Sequence, residues 1–333
     1  MDNFVTFIFF TDPHATDKWP SSRTDDFRAT ILSKMGWLMN LAHSLDAYIL
    51  VGGDWVHRFN SRSSVVNSMM TILRLANKGV FGVIGNHDIY GHNYEVINDV
   101  VAGSLFASGL VTLLDNTPLL VEENGITVQL TGTNYRPDID KDKSSYNIKK
   151  VPEADQAIHL THSFLISRPW PNIAADKFTV IDEVQTEADV ICIGHDHRGF
   201  GVQRRGNTVF TNPGSLGRIS SDLVELRRMP KASLIRVFKD HCEVSLIEVP
   251  AEPGNKVLDR KVLEEENERR KNLREFREDL DLNFGDMGVV SNIDEIFDAQ
   301  VRLQKIDKSI LETSLKAIKT YEESVLSTTK KKG

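Results

Sequence analysis

Five short apolar runs along the chain end in the same manner. "FVTFIFF" (4–10) leads into Thr11-Asp12-Pro13-His14, "AYILV" (47–51) into Gly52-Gly53-Asp54, and "VFGVI" (80–84) into Gly85-Asn86-His87-Asp88. "AIHL" (157–160) leads into Thr161-His162-Ser163, and "ADVICI" (188–193) into Gly194-His195-Asp196-His197. Runs of this length, nearly continuous and rich in β-branched and aromatic residues, predict strands covered on both faces. Between the first three, Phe27, Ile31, Met35, Leu38, Ala42 and Leu45 recur at helical spacing, as do Val65, Met69, Ile72 and Ala76. Strand-rich sequence then continues through 119–130, 157–162, 189–194, 207–211 and 232–247. The order predicts an α/β fold in four layers, α-β-β-α. Polar residues at the carboxyl ends of several strands would then meet at one edge, where α/β folds place their ligands.

The pattern changes near "VPAEPGNK" (249–256), where Pro250, Pro253 and Gly254 interrupt it. The sequence therefore predicts one domain over 1–250 and a charged helical extension over 251–333. Within the extension a helix is expected from about Ile293 to Leu326, with Ser291 and Asp294, or Asn292 and Glu295, as a capping box. Ile293, Phe297, Leu303, Ile306, Ile310, Leu315, Ile318 and Val325 would form its apolar stripe.

Composition narrows the class. A chain of 333 residues, 40% of them hydrophobic, can build one large domain with an appendage. No apolar run approaches the roughly 20 residues needed to span a membrane, and "MDNFVTFIFFTD" does not read as a secretory signal. Only Cys192 and Cys242 are present, so a disulfide framework is not expected and a cytoplasmic setting fits. A net charge of −7 argues against a simple basic nucleic-acid binder. Residues 198–236 nevertheless hold eight basic residues against Asp222 and Glu225, a basic strip suited to a phosphate-bearing ligand.

The strand ends supply Asp12, His14, Asp54, Asn86, His87, His162, His195 and His197. In extended backbone, residues i and i+2 point to one side, so Asp12-x-His14 and His195-x-His197 could each offer two ligands to one point. Pro13 would bias Asp12 toward that extended form. Imidazole and oxygen ligands without thiolates suit Mn, Fe or Zn, with Mg possible. Seven such groups are too many for one ion and about right for two sharing a carboxylate. Two divalent ions can clamp the attacking and leaving oxygens of a phosphoryl displacement. His43, His159 and His241 belong to no motif and read as structural or solvated.

D-x-H, GD, GNHD, a lone His and GHxH, in this order over roughly residues 4–250, resemble the calcineurin-like metallophosphoesterase superfamily. The resemblance implies a metallophosphoesterase sandwich. It assigns Asp12, His14, Asp54 and His197 to one metal and Asn86, His162 and His195 to the other, with Asp54 bridging. His87 would protonate the leaving oxygen or stabilise the transition state. Protein phosphatases of this superfamily carry GDxxDRG and GNHE, whereas this chain has Gly53-Asp54-Trp55-Val56-His57-Arg58 and GNHD, which argues against that activity.

Asp54-x-x-His57 is similar to the second histidine of SbcD-type nucleases, the phosphoesterase subunits of double-strand-break repair complexes. The resemblance implies that His57 helps place a DNA phosphate, with Arg58 and Arg62 close to the strand. It also implies an SbcC-like coiled-coil ATPase partner, docked through the C-terminal helices, and a homodimer. The chain would be a compact version of the type found in some phages and bacteria. "TNPGSLGR" (211–218) points elsewhere, being similar to a segment of small bacterial phosphodiesterases, in which Arg218 would touch a phosphate. Two enzymatic readings therefore stand, a DNA exo/endonuclease and a stand-alone phosphodiesterase for small substrates. A third, an inactive scaffold, is weakest because every expected ligand is present.

Overall fold

The computed structural model describes residues 3–91, 93–169 and 177–261, together with Glu264 and Glu268. Its first compact unit runs from Met1 to Glu264. Two six-stranded sheets lie at its centre. The first contains β1 (Val5–Phe10), β2 (Tyr48–Val51), β3 (Val80–Gly82), β4 (Thr112–Leu113), β13 (Lys231–Val237) and β14 (Cys242–Glu248), in the order β14-β13-β1-β2-β3-β4. The second contains β5 (Leu119–Glu123), β6 (Ile126–Thr133), β7 (Gln156–Ser163), β10 (Val190–His195), β11 (Gly201–Arg205) and β12 (Thr208–Asn212), in the order β11-β12-β10-β7-β6-β5. A small parallel pair, β8 (Leu165–Ile166) and β9 (Thr179–Val180), lies apart from both.

The apolar runs are continuous because each strand is covered twice. On β1, Phe7 and Phe9 face the second sheet, packing with Leu50, Phe81 and Val83 against Val128, Leu130, Ile158, Leu160, Val190 and Cys192. Ile8 and Phe10, on the other side of β1, pack under helices. Period-two alternation of side chains thus fills two cores from one uninterrupted run. Among the described residues both cysteines are buried and free.

Helix α1 (Phe27–Leu45) covers the outer face of the first sheet. The Asp26 side chain accepts the Ala29 backbone N–H at 3.0 Å and so caps its start. Asp46 ends it in left-handed conformation, φ 51°. Phe27, Ile31, Met35, Leu38 and Ala42 bury the expected stripe, while Leu45 at the last turn is exposed. Helix α2 (Ser63–Leu73) buries Val65 and Met69 in the same layer and stops before Ala76. The short helix α3 (Gly103–Ala107) adds Leu105.

The outer face of the second sheet is covered differently from the helical layer predicted. Ile191, Ile193 and Phe210 pack under Tyr146, Ile148, Leu165, Ile181 and Val184. These come, among the described residues, from 3₁₀ turns at Lys143–Tyr146 and Ile181–Glu183, from β8, and from the connecting segments. Helix α4 (Leu223–Arg227) precedes β13, helix α5 (Gly254–Val257) follows β14, and the two pack together. The segment after residue 250 continues in the first unit: the Asp259 N–H donates to the Ser22 carbonyl at 2.8 Å, and Leu258 bridges to Arg23. The predicted helix from Ile293 to Leu326 lies outside the described residues.

Candidate metal centre

β1, β2 and β3 run parallel, and so do β6, β7, β10 and β12, which brings several carboxyl ends to one edge. Hydrogen bonds then tie the ends together. Asp12 N–H donates to the Gly53 carbonyl at 3.2 Å, and His14 N–H to the Asp54 carbonyl at 3.0 Å. Across the two sheets, His162 Nδ1–H donates to the Gly52 carbonyl at 2.7 Å, and the His195 N–H to Asp12 Oδ2 at 3.2 Å.

Two groups of metal-ligating side chains result, each with one ligand atom per residue within 4.8 Å of the others. One holds Asp12, His14, Asp54 and His197; the other holds Asp54, His162 and His195. Asp54 belongs to both. Its Oδ2 lies 3.5 Å from His14 Nε2 and 3.4 Å from His162 Nε2. Asn86 Oδ1 is 3.1 Å from His162 Nε2 and so joins the second group. A third group combines His14, His57 and His87. The His57 and His87 rings stack with centroids 5.3 Å apart, and His87 meets His14 edge-on at 4.7 Å.

The route to this convergence differs from the extended i, i+2 geometry predicted from sequence. Asp12 (φ 52°), His14 (φ 48°) and His195 (φ 79°) all have left-handed backbone. The chain turns sharply at each strand end, and cross-strand backbone hydrogen bonds hold the turns. Pro13 does not keep Asp12 extended. Gly85 is required by contact rather than by conformation, since a Cβ there would stand 2.1 Å from Asp54 Oδ1.

The polar atoms fit divalent cations. Asp12 Oδ1 and Asp54 Oδ2 are buried carboxylate oxygens that accept no hydrogen bond. Their companion oxygens are engaged: Asp12 Oδ2 accepts from Thr11 Oγ1, and Asp54 Oδ1 accepts the His87 N–H at 2.8 Å. His14 Nε2 faces His197 Nε2 at 2.9 Å, an approach of two ring nitrogens suited to a shared cation. Burial works against charge on Asp12, but the His197 ring 3.5 Å from Oδ1 and the neighbouring His162 hold its carboxyl at about 2. Burial pushes His195 down to about 4 and His14 well below the usual imidazole range. Anionic carboxylates and neutral imidazoles are the forms that bind metal. His162 goes the other way, to about 10: burial opposes its charge, but the Asp54 carboxylate beside Nε2 outweighs it.

Other residues shape the centre around the ligands. Asp88 is fully buried and accepts the Val56 N–H at 3.0 Å and the Gly85 N–H at 2.9 Å, locking the turn that presents Asn86 and His87. Phe164 meets the His195 ring edge-on at 5.6 Å, and Tyr135 lies 5.9 Å from it. Tyr135 follows β6, a further strand end that carries no ligand type and therefore gave no signal. In the 211–218 loop, Ser215 N–H donates to the His197 carbonyl at 3.0 Å and Ser215 Oγ to the Asp12 carbonyl at 2.9 Å. Asp196 faces the Arg198 N–H, at 3.2 Å, and is in none of the three groups. His159 is structural: its ring nitrogens meet the Thr131 and Thr133 hydroxyls at 2.9 and 3.2 Å.

The arginines are placed less uniformly. Arg58 is exposed, and Arg62 is 83% exposed with its Nε 3.4 Å from Asp17. Arg218 is buried, 1% exposed, and its guanidinium donates to the Arg228 and Glu252 carbonyls, turned away from the metal-ligating groups. The basic window 198–236 does not form one strip. Arg228 pairs with Glu225 at 2.7 Å, Arg205 lies 3.6 Å from Asp182, and Arg236 lies over the Phe4 ring. Neighbours in sequence are carried to different faces by the strands between them.

The description of calcineurin-like phosphoesterases matches residues 5–199, more than half of the chain and all five strand ends. The chain belongs to the calcineurin-like phosphoesterase family. As a member it is an enzyme of the metal-dependent phosphoesterase class, and the Asp and His groups described above are its candidate metal ligands. Solved structures with a similar course include sulfate thiohydrolase SoxB of Thermus thermophilus: 11% identity, TM-score 0.43, covering 74% of this chain and 56% of that one. NAD nucleotidase of Haemophilus influenzae aligns at 9% identity and TM-score 0.41, over 75% of this chain and 57% of that one. An archaeal phosphodiesterase aligns at 11% identity and TM-score 0.37, over 73% of this chain and all of its own. This phosphoesterase thus spans little more than half the length of the first two. No curated protein matches it. Among the described residues no helix is long and apolar enough to cross a membrane.

Proposed function

We propose that this phosphoesterase is a two-metal phosphodiesterase acting on DNA, the nuclease subunit of an SbcCD-like repair or recombination complex. The observation that carries this reading is His57. Three residues beyond Asp54, it stands in the His14 and His87 group with a buried, unpartnered Nδ1. A hydrolase for a small ester needs no added donor there, whereas a polymeric substrate must have its phosphate placed among many alike. Residues 251–333 are the proposed contact with a coiled-coil ATPase, and a homodimer in the cytoplasm completes the proposal.

Asp12, His14, Asp54 and His197 would hold one divalent ion and Asp54, Asn86, His162 and His195 the other, Mn²⁺ being our choice for both. Such a pair supplies positive charge to a phosphodiester and lowers the pKa of bound water. The chain's own groups orient the substrate and manage the leaving oxygen. His87 Nδ1–H donates to the His57 carbonyl at 2.8 Å, which fixes the ring; as general acid the ring would act in its doubly protonated form, giving the Nε2 proton to the departing oxygen and keeping the one on Nδ1. His57 Nδ1 is the donor for a non-bridging phosphate oxygen. The second reading, a phosphodiesterase for small substrates, draws on the 211–218 loop, which hydrogen-bonds the His197 and Asp12 backbone.

The test is Mn²⁺-dependent cleavage of end-labelled linear DNA, with bis-p-nitrophenyl phosphate as the small ester. His87→Ala should lower turnover on both by about 10²–10⁴ with metal content unchanged. His57→Ala should lose DNA cleavage while keeping most hydrolysis of the small ester. Wild-type protein that hydrolyses the ester and leaves DNA intact, with or without a coiled-coil ATPase, would move the assignment to the second reading.

A further inference from the structure

A second concentration of charge lies beneath α1, away from the metal-ligating groups. Arg23, Lys34, Arg218 and Arg228 come together there, and the first three are at most 7% exposed. Their proximity is tied by the chain: Arg23 donates to the Arg218 carbonyl at 3.1 Å, Arg218 to the Arg228 carbonyl, and Lys34 Nζ to the Leu216 carbonyl at 2.8 Å. Two carboxylates answer four cations. Asp25 takes Arg23 in a bidentate pair at 2.8 and 2.7 Å, and Glu225 takes Arg228 at 2.7 and 2.9 Å. Glu252 is exposed and pairs with Lys256 at 3.0 Å. Among the described residues, no carboxylate pairs with Lys34 or Arg218.

These two line a cavity of about 340 Å³ with Arg23, Thr30 and Ser33, and its wall also holds Asp25 and Glu252, whose carboxylates are taken by Arg23 and Lys256. Arg218 Nε is buried there without a hydrogen-bond partner. Lys34 gives one of its three donors to Leu216. An unmatched buried charge is costly, and a cavity that keeps two of them is organised for a counter-ion. Burial, with the Arg218 and Arg23 guanidiniums next, pushes the Lys34 ammonium down to about 7. An anion in the cavity would reverse that pressure.

We propose that this cavity is an anion site for a small phosphate dianion, free or carried as a monoester, bound by Lys34 Nζ and Arg218 Nε. Ser33 lies on its wall and its hydroxyl can serve a remaining oxygen, whereas the Thr30 hydroxyl is committed to Asp25 at 2.5 Å. The size is in the range of small-ligand sites, roughly 300–1,000 Å³, and admits a monoester as well as the free ion. The site is independent of the nuclease reading.

The experiment is calorimetric titration and thermal unfolding of full-length protein, freed of metal by a chelator so that the phosphoesterase centre does not hold phosphate through metal. Inorganic phosphate and deoxyadenosine monophosphate are the two probes. Saturable binding and a raised Tm with phosphate are expected, and Lys34→Met should weaken binding at least tenfold. Ser33→Glu, an exposed substitution at the cavity wall that leaves the core intact, should do the same and stands in if Lys34→Met does not fold. Binding of both probes, or of phosphate alone, upholds the site and tells the ester from the free ion. Absence of phosphate binding by wild-type protein overturns it, as does undiminished binding in Ser33→Glu.

Discussion

Among the described residues, six non-glycine positions have left-handed backbone, and Asp12, His14, Asp54 and His195 are four of them. Single residues in that conformation are costly and persist where surrounding bonds over-determine them. Here those bonds are the strand-end contacts to the Gly53 and Asp54 carbonyls and to Asp12 Oδ2. Residue type was legible for this centre, because a ligand must be Asp, Asn or His; the backbone state was not, because it is set by partners far away in the chain. Lys34 illustrates the same limit. In sequence it is one polar position in α1, yet it is 2% exposed under Arg218. Its folded pKa, about 7 against 10.5 for an ordinary lysine, has a definite consequence for stability. Between these values the unfolded chain binds the extra proton, so stability rises with pH from about 7 to 10.5; below 7 the penalty of the buried ammonium is in full force. Urea unfolding across that window, in buffer free of phosphate, should show this rise in wild type and a reduced slope in Lys34→Met.

At the scale of elements, the strand and helix runs were the clearest part of the sequence. Each of the five apolar runs contains a strand, and α1 buries five of the six residues in its predicted stripe. The exception, Leu45, sits where Asp46 ends the helix. Period and length carried that information. The start of α1 is set by Asp26, whose side chain accepts the Ala29 N–H. Asp26→Ala should destabilise the protein by about 1 kcal/mol, measured by urea unfolding, without altering metal content. The covering layer of the second sheet was less legible, since 3₁₀ turns and connecting segments have no amphipathic period to detect. The basic window 198–236 misled for a related reason, because β11, β12 and α4 send consecutive arginines to different surroundings.

For the whole molecule, the metal-ligating groups join the two sheets. Asp12, His14, Asp54 and Asn86 come from the edge of the first, and His162, His195 and His197 from the second. Cations held between them should therefore stabilise the sandwich as a unit. Removing metal with a chelator should lower Tm by about 5–10 °C relative to protein with Mn²⁺ at a hundred times its dissociation constant. Scanning calorimetry with and without added Mn²⁺ checks this, and an unchanged Tm would mean that the ions do not couple the sheets.

The sequence by itself determined which residues could be ligands, which runs would be strands, and that the strand ends share one chemistry, because residue type and local periodicity are properties of neighbours in the chain. Only the tertiary structure decided that His57 stacks on His87 and that Arg218 turns from the centre into a buried cationic cavity. Those facts depend on distances between segments 30 to 200 residues apart, which are fixed by sheet order and packing rather than by any local pattern.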